Sequence, residues 1–81
     1  LTREDAMVLI HRTLSVIGEA PSSGQYSDLS AFGDRNTVSE YAITAMATLV
    51  KAGYIQGTNS RLNPKNNITR AEMATILYRV L

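Results

Sequence analysis

Cysteine is absent from the 81 residues, and histidine occurs once, at His11. No disulfide can staple the fold, and no Cys/His set can hold a structural zinc. A lone histidine also leaves no partner for Ser-His-Asp or Cys-His chemistry. The Asn-rich stretch "TNSRLNPKNN" lacks the carboxylate spacing of a calcium loop. No metal, cofactor or catalytic site is therefore expected, and an enzyme is not. No apolar run approaches the roughly 20 residues of a membrane span, and no secretory signal pattern is visible. The formal charge is only +1, and the eight basic residues are scattered. That argues against a phosphate-backbone footprint and hence against a nucleic-acid partner. One small domain is the most this length supports, and its stability alone is marginal.

Three amphipathic runs are present. In the first, about Arg3 to Ile17, the residues Ala6, Ile10, Leu14 and Ile17 form an apolar stripe that Leu9 widens. The second spans about Val38 to Ala52, with Ala42, Ala45, Met46, Leu49 and Val50 on one face. Gly53 stands just past it, where a left-handed residue ends many helices. The third runs from Arg70 to Leu81, with Met73, Ile76, Leu77 and Val80 aligned. Each run opens with Thr three residues before an acid: Thr2 and Asp5, Thr37 and Glu40, Thr69 and Glu72. This is the capping-box spacing, in which the Thr oxygen takes one free amide and the acid reaches back to another. The fold class expected is all-α, with three main helices and long connecting loops.

The connector "GEAPSSGQYSDLSAFGD" is rich in Gly, Ser and Pro, with Tyr26 and Phe32 as its expected anchors to the core. From Gly53 to Ile68 the chain reads as a loop with buried points at Tyr54-Ile55 and Leu62.

The first 14 residues, "LTREDAMVLIHRTL", and the last 14, "ITRAEMATILYRVL", match at Thr2/Thr69, Arg3/Arg70, Arg12/Arg79 and Leu14/Leu81. Amphipathicity explains the aliphatic matches, but not an arginine directly after the capping threonine in both copies. Such a recurrence suggests tandem units. The run Tyr26-Ser27-Asp28, Tyr41-Ala42, Gly53-Tyr54-Ile55-Gln56-Gly57, Leu62-Asn63-Pro64, Thr69-Arg70-Ala71-Glu72, Arg79-Val80-Leu81 resembles one S-layer homology (SLH) motif from end to end. The resemblance divides the chain into the last helix of a preceding motif (1–17), a connector (18–25) and a complete motif (26–81). Departures are Tyr41 in the usual Trp place, Asn59-Ser60 in place of an Asp-Gly turn, and Glu4-Asp5 in place of Ala-Glu.

The resemblance implies an extracellular module that anchors proteins noncovalently to the bacterial cell surface, in the S-layer or cell wall. Its implied partner is an anionic secondary cell-wall polysaccharide or other peptidoglycan-linked polymer, often pyruvylated. Adjacent SLH motifs are the implied protein partners, and a homo-oligomer is the alternative expected where apolar faces of a partial repeat set seek cover. The main anion contacts it implies are Arg70 and Arg3; a sugar needs further polar and aromatic surface, for which Tyr41, Asp28 and Gly57 are the candidates. Elementary chemistry is compatible with this. A helix N-terminus favours anions, and an arginine there is otherwise misplaced against the dipole. The bland reading of both arginines is a solvated or surface-paired side chain. The rival functions are a structural helical self-association module and a nucleic-acid-binding helical module.

Overall fold

The computed structural model describes residues 1–55 and 61–80. Among the described residues there are three α-helices, α1 (Arg3–Val16), α2 (Ile43–Lys51) and α3 (Arg70–Val80), and three 3₁₀ turns, Tyr26–Leu29, Arg35–Thr37 and Glu40–Ala42, all lying between α1 and α2. Thr2 and Asn67 form an antiparallel bridge. The fold is all-α. None of its described helices is long and apolar enough to cross a membrane.

Helix α2 is the centre. Ala45, Met46, Ala47, Thr48 and Leu49 are all buried. Helix α1 packs on it through Ala6, Met7, Ile10 and Leu14, and the 3₁₀ turn Tyr26–Leu29 covers it with Leu29. Both α1 and α2 stop in the same way. Glu19 N–H donates to Leu14 C=O and Gly18 N–H to Ser15 C=O; Tyr54 N–H donates to Leu49 C=O and Gly53 N–H to Val50 C=O. These are Schellman closures, and the left-handed residue each requires is a glycine, with φ +76° at Gly18 and +85° at Gly53.

The second helix is shorter than its periodicity predicts. The expected capping pair Thr37 and Glu40 does not form. Thr37 Oγ1 donates back to Asp34 C=O at 2.7 Å, and Glu40 is exposed at the start of a 3₁₀ turn. The cause is tertiary. Ser39 gives its amide to Glu4 Oε1 at 2.9 Å and its hydroxyl to Glu4 Oε2 at 2.7 Å, while Val38 turns into the core in extended conformation. A regular helix from Val38 onward cannot meet these demands. Two apolar expectations also shift. Met7 is buried in α1, whereas Leu9 and Ile17 are 50% and 59% exposed. Phe32 anchors the connector, but Tyr26 is 44% exposed. Ile55 and Leu62 are buried as expected, with Tyr54 packed at the core's edge.

The connector is held at Gly24. Its amide donates to the buried hydroxyl of Thr48 at 2.9 Å, and a Cβ there would lie 2.4 Å from the backbone carbonyl of Ala47. The close approach of two backbones therefore depends on the missing side chain. Gly24→Ala should destabilise the domain by about 1–3 kcal/mol, the usual cost of overpacking. Gly33→Ala, where a Cβ meets nothing within 4 Å, should change stability by less than about 0.5 kcal/mol. Thermal melting of the two variants side by side checks this, and equal melting temperatures would refute the backbone contact.

Candidate ligand-binding site

The two Thr-Arg helix starts have the same sequence logic and opposite surroundings. At α1 every early amide is taken. Arg3 N–H donates to Asn66 C=O (2.8 Å), Glu4 N–H to Pro64 C=O (3.0 Å) and Asp5 N–H to Thr2 Oγ1 (3.2 Å). Helix starts normally leave such amides to water or a ligand; here a loop some 60 residues away (Glu4 to Pro64) fills them. Asp5 does not reach back to complete a box. Its Oδ1 accepts the Tyr41 hydroxyl at 2.6 Å.

At α3 the box is complete. Glu72 N–H donates to Thr69 Oγ1 (3.1 Å) and Thr69 N–H to Glu72 Oε1 (3.0 Å). The amides of Arg70 and Ala71 have no acceptor among the described residues. Arg70 is exposed, and its side chain has no hydrogen bond or ion pair among those residues.

Arg3 is not an exposed counterpart of Arg70. It is 8% exposed, its Nε donates to Leu62 C=O at 3.0 Å, and its guanidinium pairs with Glu72 Oε2. Burial draws its pKa below the ordinary arginine value. The reason is packing. The 62–68 loop lies across the start of α1, and Arg3 is the side chain between them that can satisfy the Leu62 carbonyl. Arg3 thus joins α1, the loop and the cap of α3.

Glu4, which stands where the other copy has Ala71, was not singled out from sequence. It is 2% exposed and collects the Ser39 amide and hydroxyl, the Tyr41 hydroxyl (3.1 Å) and the Lys65 ammonium (2.9 Å). Burial pushes its carboxyl up, but the Ser39, Lys65 and Tyr41 hydrogen bonds outweigh this and hold it below the usual range. Its departure from the Thr-Arg-Ala-Glu pattern was the available signal. Asp34 plays the matching part for the loop. Its two oxygens accept Leu62 N–H and Asn63 N–H, both at 2.8 Å, and Asn63 sits at φ +50°. Burial raises the Asp34 pKa, and the amides of Leu62, Asn63 and Asp34 itself, with the nearby charge of Arg61, together more than reverse it.

Tyr41 is 63% exposed, with its ring outside and its hydroxyl on Asp5 and Glu4. The bond to Asp5 is the largest influence in pushing its pKa up to about 12. Asp28 accepts the Gln25 amide at 2.7 Å and closes the Tyr26–Leu29 turn. No hydrogen bond or ion pair among the described residues links Asp28 to Arg3, Arg70 or Tyr41. Gly57 lies outside the described residues.

Beside these polar contacts, α1 and α3 leave an open apolar groove of about 320 Å³, lined by Leu9, Ile10, Thr13, Met73, Leu77 and Val80 among others. The corresponding helix faces are not used alike. Ile10 is 7% exposed in α1, while its repeat equivalent Leu77 is 41% exposed in α3.

Comparison with known proteins adds three findings. The profile of the S-layer homology domain matches residues 31–74. The surface-layer 125 kDa protein of Lysinibacillus sphaericus is 49% identical over 49 residues, which is 59% of this chain and 4% of that protein. An amylopullulanase of Thermoanaerobacterium thermosulfurigenes is 29% identical over 82 positions, covering 100% of this chain and 4% of that protein. The chain therefore spans a small fraction of the length of these relatives. No solved structure matches it.

Glu4 and Asp34 both have folded pKa values below their unfolded ones. Their contribution to stability is whole above the unfolded carboxylate values near pH 4 and is lost as pH falls through the folded ones. The melting temperature should therefore drop as pH is lowered from about 5 toward 2. A Glu4→Gln/Asp34→Asn variant should melt lower at neutral pH and lose less on acidification. Parallel profiles for the two proteins would show that other groups control the acid transition.

Proposed function

The chain belongs to the S-layer homology family, modules of the bacterial cell surface, and we propose that it anchors its parent protein by gripping an anionic, pyruvylated secondary cell-wall polysaccharide at the start of α3. The observation that carries this is the contrast between the two Thr-Arg starts. In α1 the guanidinium and the first amides are consumed inside the fold. In α3 the Arg70 guanidinium and the amides of Arg70 and Ala71 remain unused among the described residues. A carboxylate would meet a planar fork, two free N–H groups and the positive end of a helix. Arg3, engaged with Leu62 and Glu72, supports this site by tying α3's cap to the loop. Tyr41 offers an exposed ring for a sugar face, and Asp28 serves its own turn.

The anchoring reading includes neighbouring repeats. Residues 1–17 act as the last helix of one motif and 26–81 as the next, joined by the connector 18–25. Leu9, Ile17 and Leu77 leave an apolar surface at the α1–α3 groove. A helix from an adjacent motif, or from a second copy, covers it in the assembled anchor. The amylopullulanase's named activity stays with that protein, because the likeness covers 4% of it.

The test is the affinity of the chain for purified cell walls with and without pyruvylated polymer, read for three variants beside thermal melting. Arg70→Ala should weaken binding about tenfold to a hundredfold, as expected for losing a hydrogen bond to a charged group, with melting unchanged. Arg70→Lys should recover part of the loss, since an ammonium lacks the bidentate fork. Thr69→Ala should cost about 1 kcal/mol of stability through the lost cap. Undiminished binding by Arg70→Ala would sink the assignment.

A further inference from the structure

Two near-identical helix starts in one chain raise a problem of identity. Helix α1 occupies a berth made by the Pro64–Asn66 turn, Ser39 and Lys65. Helix α3 begins with the same Thr-Arg pair and is exposed at that end. In a solution of many copies, the α3 of one could compete for the α1 berth of another. Such a head-to-tail contact is heterologous and does not close, so it would propagate into filaments.

We propose that Glu4 is a specificity key: the berth accepts a helix that opens Thr-Arg-Glu and rejects one that opens Thr-Arg-Ala, so α3 cannot replace α1. The electrostatic argument is direct. With Ala71 at this position, the Ser39 amide, the Ser39 hydroxyl and the Lys65 ammonium lose a shared acceptor that is 2% exposed. The Lys65 side chain is 56% exposed and can turn to water, but the part-buried Ser39 donors lose their acceptor, and that cost discriminates more sharply than a good contact attracts. The packing argument is independent and points the same way. Ala6 and Met7 are 0% and 1% exposed, and α3 carries Met73 and Ala74 at the equivalent places, in reversed order. Seated in the berth, α3 would force a large side chain where Ala6 is enclosed and leave a void where Met7 fits. The key thus sets which repeat helix may precede this motif. Its further consequence, that Arg70 and its two amides stay open for polymer, rests on the anchoring reading; the key itself does not.

Exchanging the key tests it. In a swap variant, Glu4→Ala removes the key from α1, and Ala71→Glu, Met73→Ala and Ala74→Met place it on α3. By analytical ultracentrifugation the parent chain and the single variant Ala71→Glu should have the same mass, because the tethered α1 holds the berth at high effective concentration. The swap variant should gain mass with concentration, and Ser39→Ala/Lys65→Ala added to it should weaken that association at least about tenfold, the loss expected for a charge-assisted contact. A swap variant that sediments like Glu4→Ala alone overturns the proposal. A melting series keeps it testable if Glu4→Ala folds poorly. Glu4→Gln should lower the melting temperature by about 4–8 °C in the parent and by less than half of that in a Ser39→Ala/Lys65→Ala background. Equal drops in both backgrounds also overturn it. Neither readout involves polymer, so failure here leaves the Arg70 assignment standing, and failure of polymer binding leaves the key.

Discussion

The tertiary structure depends on how the first turn of α1 is satisfied. A helix start buried against protein must give its free amides to something, and here the acceptors are the carbonyls of Pro64 and Asn66. Those carbonyls work as a cap only if their loop is rigid. Asp34 supplies the rigidity by holding the amides of Leu62 and Asn63, the latter in a left-handed conformation. The Arg3 side chain then closes the remaining gap on the Leu62 carbonyl. Helix α1, the 62–68 loop and the start of α3 are thereby one polar joint, set on the apolar core around α2.

That joint makes unlike residues out of repeated ones. Arg3 and Arg70 occupy the same place in a repeated phrase, yet one is a buried tie and the other an exposed cation. The positive end of a helix disfavours an arginine in its first turn. At Arg3 the Leu62 carbonyl and the Glu72 carboxylate offset this. At Arg70 no described group accepts from the guanidinium, so the mismatch with the dipole stays open within the fold. The same joint lifts Glu4 from an apparent irregularity to the most heavily hydrogen-bonded carboxylate described. The polar groups of α1, the 62–68 loop and the α3 cap are spent on one another, and the cationic start of α3 is left exposed.

Much of the architecture was legible in the residues because it is governed by local physics. Periodicity marked α1 and α3 within a residue, and the Thr69–Glu72 box and the Gly53 closure need only neighbours in the chain. The Thr37–Glu40 box has equally good spacing and fails, because Ser39 two residues on is claimed by Glu4. Tyr26 has the hydrophobicity of an anchor, but Leu29 and Phe32 already fill the available core. Gly24 looks like any linker glycine, and its closeness to Ala47 exists only once the connector lies on α2.

The sequence by itself determined the helical class, the repeat, the family resemblance and the chemistry on offer at each Thr-Arg start. These follow from spacing, propensity and side-chain type, which operate over a few residues. Tertiary structure alone decided which arginine is buried and which is open, where the second helix begins, and what the Glu4 carboxylate holds. Each of those outcomes turns on contacts between segments roughly 35 to 69 residues apart, as in Glu4 with Ser39 and Arg3 with Glu72. Two identical dipeptides cannot encode different roles. The loop that lies against one of them, and not the other, does.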